Sequence, residues 1–309
     1  TNHTAVLSSG THLVDSLVNI PNVKIVALFG PEHGIRGDAP DGLKVSDGKD
    51  SKTGIPVYSL YGKINKPTPE MLKGVDVLIF DIQDIGARFY TFISTMYYTI
   101  QAAAENNIPV IILDRPNPIG GIKVGGPNRV DSFKSFVGIA PIPIMHGMTV
   151  GELATMFNEE GYLENNQKAD LKVIKVKNWE REQLYNQTGL KWINPSPNMI
   201  NLEEAAIYPG LCLLEGTNIS EGRGTYKPFL TFGAPYIDSE KLIKNLETYK
   251  IPGIKFIPVK YTPVEIPNMA SKPKYADLEC NGIELIVDVK ADFDPVKLGV
   301  IIIYEVHKL

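Results

Sequence analysis

Hydrophobic and polar positions fall along this chain in blocks that read, in turn, as strand, helix and strand. SSGTHLVDSLVNIPNV carries Leu13, Leu17 and Val18 at helical spacing and predicts a loop and a short helix. The apolar run Val23 to Phe29 predicts a buried strand that stops at Gly30-Pro31, with Glu32, His33, Gly34, Arg36 and Gly37 at its carboxyl end. Residues 38 to 55 have no periodicity and predict a long surface loop near a site. IPVYSLYG then predicts a short strand, and KPTPEMLKG a helix closed by Gly74. Val75 to Gln83 is apolar at both parities, the pattern of a parallel strand covered by helices on both faces. Phe89 to Asn107 has helical spacing, and IPVIILD is again a strand. This alternation predicts a right-handed parallel α/β sheet.

Residues 122 to 143 are irregular. The helix within HGMTVGELATMFNEEG starts at Thr149, with Glu152 completing a capping box, and closes at Gly161. ADLKVIKVKNW alternates as a strand, and GLKWINPSPNMINLEEAAIY is a long loop followed by a short helix. PGLCLLEGTNISEGRGTYKPF reads as a strand ending in a polar, glycine-rich loop. The composition shifts near Tyr236. DSEKLIKNLETY is an amphipathic helix, while IKFIPVKYTP, GIELIVDV and VIIIYEVH read as strands. The pattern therefore predicts a larger domain over 1–235 and a smaller α/β or α+β domain over 236–309.

The 309 residues are 43% hydrophobic and 21% charged, enough for a full core. A net charge of -4 and the lack of a lysine or arginine block argue against nucleic acid, and no apolar run reaches membrane-spanning length. Cys212 and Cys280 read as buried small hydrophobes. No dinucleotide fingerprint, Walker A loop or nucleophile elbow occurs, and the histidines lack metal spacing, so neither a cofactor nor a metal is expected.

Four polar loops remain at predicted strand ends: Glu32-His33-Arg36, Asp81-Gln83-Asp84-Arg88, Asp114-Arg115-Asn117 and Asn218-Glu221-Arg223. In a parallel sheet such ends share one edge. Their content fits glycoside hydrolysis, which needs one protonated acid and a second carboxylate. Glu32 and Glu221 are the best pair, each flanked by glycines that would let a ligand approach; Asp81 and Asp84 are rivals. The bland alternatives are an ion pair of Asp81 or Asp84 with Arg88, helix capping, and an internal salt bridge within Asp114-Arg115. The arginines could hold an anionic substrate group bidentately.

GPEHGIRGD, FDIQDIGARFYTFIST, LDRPNPIGG, HGMTVGELA, WINPSPNM and LLEGTNISEGRGT, in that order, resemble the exo-β-N-acetylmuramidase family (NamZ/YbbC-like) across most of the chain. The resemblance implies a Rossmann-like large domain, a smaller C-terminal domain, an active cleft between them, and no metal or nucleotide. It implies release of N-acetylmuramic acid from non-reducing ends of peptidoglycan fragments, and hence a periplasmic or secreted location. The family's acid motifs fall on Glu32 and Glu221. The lactyl carboxylate of muramic acid would give Arg36, Arg88 or Arg223 a target. His33 and Asn198 would orient groups, and Asp81, Gln83, Asn117, His146 and Asn218 complete the candidate saccharide contacts. A non-catalytic muropeptide-binding protein is the rival expectation.

Overall fold

A computed structural model describes residues 1–37 and 47–309; the first half of the predicted loop over 38–55 lies outside the described residues. Two compact units divide the chain, one made of residues 1–123 and 128–189, the other of 124–127 and 190–309. The division falls well before residue 235. The physical reason is β-pairing: Thr231–Ala234 joins a strand near the C-terminus, and so belongs with the second unit.

The first unit opens with helix α1 (Leu13–Leu17). Strand β1 covers only Leu28–Gly30, not the whole run from Val23. Val23 is 44% exposed, and pairing begins where the chain meets β3. Strand β2 (Gly48–Lys49) is antiparallel to β3 (Pro56–Ser59), and β1 pairs with β3 in parallel. The KPTPEMLKG segment forms turns rather than a helix: Leu72 N–H reaches Thr68 O, and Gly74 reverses the chain with φ +77. One turn closed by a left-handed glycine is too short to propagate.

A second parallel sheet holds β4 (Leu78–Phe80), β5 (Val110–Leu113) and β6 (Leu171–Ile174), in the order β4-β5-β6. Helix α2 (Phe92–Asn106) packs on β4, and α3 (Val150–Glu159) on β5 and β6. Leu78, Phe80, Val110 and Ile112 are buried, whereas Ile79 is 39% exposed and Ile174 46%. The β4 run is apolar on both faces, yet among the described residues helices cover only one of them. Helix α3 has the predicted capping box, with Thr149 accepting from Glu152 N–H and Glu152 accepting from Thr149 N–H.

In the second unit α4 (Leu202–Leu211) runs into a 3-10 turn over Cys212–Gly216, so the stretch read as a strand is helical. Strands β7 (Thr231–Ala234), β8 (Ile254–Tyr261) and β9 (Cys280–Val287) form an antiparallel sheet in the order β7-β9-β8, against which α5 (Ser239–Glu247) packs. The terminal VIIIYEVH is not a strand. It lies in α6 (Pro295–His307), capped by the Asp294 side chain and started by Pro295. Its β-branched residues favour strands, but packing on α4 overrides that preference. The two helices touch backbone to backbone: a Cβ on Gly210 would stand 1.7 Å from Pro295 O, and one on Gly299 2.2 Å from Gly210 O. Cys212 and Cys280 are free thiols.

Candidate active site

Both units present carboxylates on loops, and their surroundings differ. In the first unit, Glu32 follows β1 in a tight turn in which Gly34 N–H donates to Pro31 O. His33 beside it is 3% exposed and left-handed, with φ +70. Glu32 Oε2 accepts from Thr91 Oγ1 at 2.9 Å. Tyr61, just beyond β3, stands near Glu32; burial, then the Glu32 charge, holds that phenol above its ordinary value.

The loop after β4 is a dense network. Asp81 is bidentate with Arg115, at 2.7 and 2.9 Å. Gln83 Nε2 donates to Asp84 O and Pro116 O at 2.7 and 2.9 Å, while its buried Oε1 finds no protein partner. Asp84 Oδ2 accepts from Gly86 N–H at 2.8 Å and lies 3.5 Å from His146 Nε2; Asp84 Oδ1 is buried without a partner. His146 Nδ1 accepts from Met148 N–H at 3.2 Å, which leaves Nε2 facing Asp84. Asn117 Nδ2 donates to Met148 O and its Oδ1 accepts from Ile119 N–H. Asp114 accepts from Thr149 Oγ1, Gly151 N–H and Val176 N–H, tying α3 to the sheet, so Asp114 and Arg115 do not pair with each other.

The arginines divide by partner. Arg36 is bidentate to Asp50 at 2.8 and 2.9 Å and reaches Asp15 at 3.0 Å, and these partners hold its guanidinium well above the ordinary value and Asp50 well below. Arg88 donates to Ile142 O; burial, then the neighbouring Arg129, lowers its pKa.

In the second unit, Glu221 is 4% exposed and carries an ion pair on each oxygen, Lys274 Nζ at 3.1 Å and Arg223 Nε at 3.6 Å. Lys274 also donates to Leu214 O, Glu215 O and Ile219 O. Arg223 pairs with Glu215 at 2.9 Å and covers the Phe229 ring at 5.2 Å. The glycine after Glu221 does not open the site to a ligand, since a Cβ on Gly222 would lie 2.4 Å from Thr231 O of the same chain. Phe229 N–H donates to Glu221 O at 2.7 Å and pins the loop. Asn218 O accepts from the hydroxyls of Tyr275 and Tyr236 at 2.6 and 3.3 Å. Asn198, 1% exposed, donates to Met269 O at 2.7 Å. Among the described residues no group of three or more His, Cys, Asp or Glu is placed to hold a metal, and no helix is long and apolar enough to cross a membrane.

The family described as exo-β-N-acetylmuramidase NamZ, N-terminal, matches residues 1–203, and its C-terminal counterpart matches 206–309. The chain belongs to the NamZ family. Peptidoglycan β-N-acetylmuramidase NamZ of Bacillus subtilis strain 168 is 49% identical over all 309 residues, which span 72% of that protein. Two crystal structures of DUF1343 family proteins from Bacteroides fragilis NCTC 9343 are similar. One is 42% identical with a TM-score of 0.89, over 99% of this chain and 76% of its own. The other is 40% identical with a TM-score of 0.74, over 92% and 69%.

For this NamZ-family member, sequence reasoning did not single out Tyr61, Thr91, Arg129 or Lys274. Tyr61 and Thr91 meet Glu32 from segments far away in sequence, and Lys274 stands in an unpatterned loop. Thr91 alone carried a local signal, a threonine at the start of a helical pattern.

Proposed function

We propose that this glycosidase is an exo-acting β-N-acetylmuramidase that releases N-acetylmuramic acid from non-reducing ends of peptidoglycan fragments, with Glu32 as general acid. The observation that carries the assignment is the contrast between the carboxylates. Glu32 accepts from the neutral hydroxyl of Thr91 and stands near the Tyr61 phenol, the surroundings a general acid would use. Glu221 is ion-paired to Lys274 and Arg223, which suits a group that works charged. Glu32 would protonate the glycosidic oxygen as the bond to the anomeric carbon breaks, and a second carboxylate, Glu221 or Asp84, would stabilise or attack the oxocarbenium-like carbon. Arg88, at a site where Arg129 adds positive charge, is a better match for a lactyl carboxylate than Arg36, which Asp15 and Asp50 already occupy.

A Rossmann-like arrangement of the first unit fits the parallel pairings and the Thr1–Thr4 segment. Thr1 donates to Phe29 O within β1 and to Asp81 O just after β4, while Thr4 Oγ1 accepts from Gln83 N–H. Action in the periplasm or outside the cell follows from the substrate proposed.

The test is turnover of a chromogenic aryl β-N-acetylmuraminide beside the matching N-acetylglucosaminide, for the wild type and for Glu32→Gln. Turnover of the muraminide alone, lost in Glu32→Gln with the fold intact, is the expected result. Binding of a muropeptide without turnover of any muraminide would move the protein to a non-catalytic role.

A further inference from the structure

Thr91 is the N-cap residue of α2, a position where threonine ordinarily accepts from the first turn of the helix. Here its side chain makes no capping hydrogen bond. The hydroxyl donates instead to Glu32 Oε2 at 2.9 Å. Beside Glu32 stands Tyr61, whose ring meets Phe136 at 6.0 Å and 60°. Phe136 stacks on Tyr98 of α2 at 6.2 Å and 9°, and its carbonyl accepts from Ser94 Oγ of the same helix at 2.6 Å. The Thr91 hydroxyl is thus fixed on a largely buried helix, against which Phe136 also packs.

We propose that Thr91 acts as a positioning residue, a hydroxyl anchored on α2 that orients the Glu32 carboxyl for proton transfer. The inference rests on the reading of Glu32 as general acid. The terminal torsion of a glutamate is broad, so an unheld carboxyl samples many orientations. A donor fixed on one helix restricts it. It also acts differentially. As the Glu32 proton passes to the leaving oxygen, negative charge builds on the carboxylate, and the Thr91 hydroxyl bond strengthens while keeping its own proton. Of the neighbours the structure places against Glu32, Tyr61 beyond β3 is titratable, Thr91 on α2 brings no charge, and His33 follows on Glu32's own loop.

The experiment measures kcat, KM, the pH profile of kcat/KM and thermal stability for Thr91→Val and Thr91→Ser, with Glu32→Gln as reference, on an aryl β-N-acetylmuraminide. Thr91→Val should lower kcat about 10- to 100-fold with KM changed about twofold at most. The basic limb should move to higher pH, since losing a donor favours the protonated carboxyl. Thr91→Ser should restore turnover, and Thr91→Val should keep its melting temperature because no cap bond is lost. Wild-type kcat in Thr91→Val, beside an inactive Glu32→Gln, overturns the positioning role alone. A kcat loss in Thr91→Val that tracks a lowered melting temperature and is not rescued by serine also overturns it. Turnover retained by Glu32→Gln would instead remove the general-acid reading beneath it.

Discussion

Glu32 and Glu221 are the same residue type in two chemically opposite settings. Glu32 leaves the first unit's β1 and meets the Thr91 hydroxyl, while Glu221 is locked into the second unit's loop by a lysine and an arginine. A glycosidase needs one carboxyl that can carry a proton and one that stays charged. The difference shows that partners, rather than residue type, set a carboxylate's surroundings, and that Thr91 and Lys274 come to theirs from remote segments. It also puts the two sites at risk in different ways. Glu32 is vulnerable to lost orientation, Glu221 to lost neutralisation.

The strongest way to break the comparison is Glu32→Gln, which should lower kcat by about 10³-fold or more while leaving the fold unchanged by circular dichroism. Exchanging Glu221's partner tests the other side. Lys274→Met should destabilise the second unit by about 2 kcal/mol in urea titration, below the usual 3–5 for a broken buried pair because Lys274 is 30% exposed. Glu204 sharpens the contrast with a third glutamate. It is wholly buried in the capping box of α4, accepting from Ile200 and Asn201 N–H, and burial raises its pKa from 4.5 to about 8. The folded chain keeps this proton where the unfolded chain has lost it. Its contribution is therefore complete below pH 4.5 and is lost as pH rises through about 8, a change on the order of a few kcal/mol. Glu204→Gln should flatten that part of the stability profile, and an unchanged slope would refute the assignment.

The smallest effect compares two threonines. Thr149 caps α3 with its hydroxyl, and Thr149→Ala should cost about 1 kcal/mol. Thr91→Ala should cost α2 much less than that and be felt in turnover, since its hydroxyl is committed to Glu32.

Local signals served the fold well where one segment decides its own state. The capping box at Thr149, the helical spacing of α2 and the parallel strands around it were legible because neighbours in sequence settle them. The C-terminal VIIIYEVH was misread because its β-branched content opposes the contact with α4 that makes it a helix. At the candidate site, the residue types and their loops were visible, but the pairings were not. Nothing in the sequence joins Asp81 to Arg115 rather than Arg88, or Arg36 to Asp50. Those choices depend on which loops the sheets bring together, and so on distances that no local pattern encodes.

The crossing of α4 and α6 has a consequence of another kind. At Gly210 and Gly299 each helix leaves the other no volume beyond its own backbone. A sequence drifting over generations can exchange almost any surface residue of this unit one step at a time. At these two positions no single step is open, because even a methyl group would have to push the helices apart. The constraint at this crossing is therefore written in two residues that have no side chain to offer any ligand.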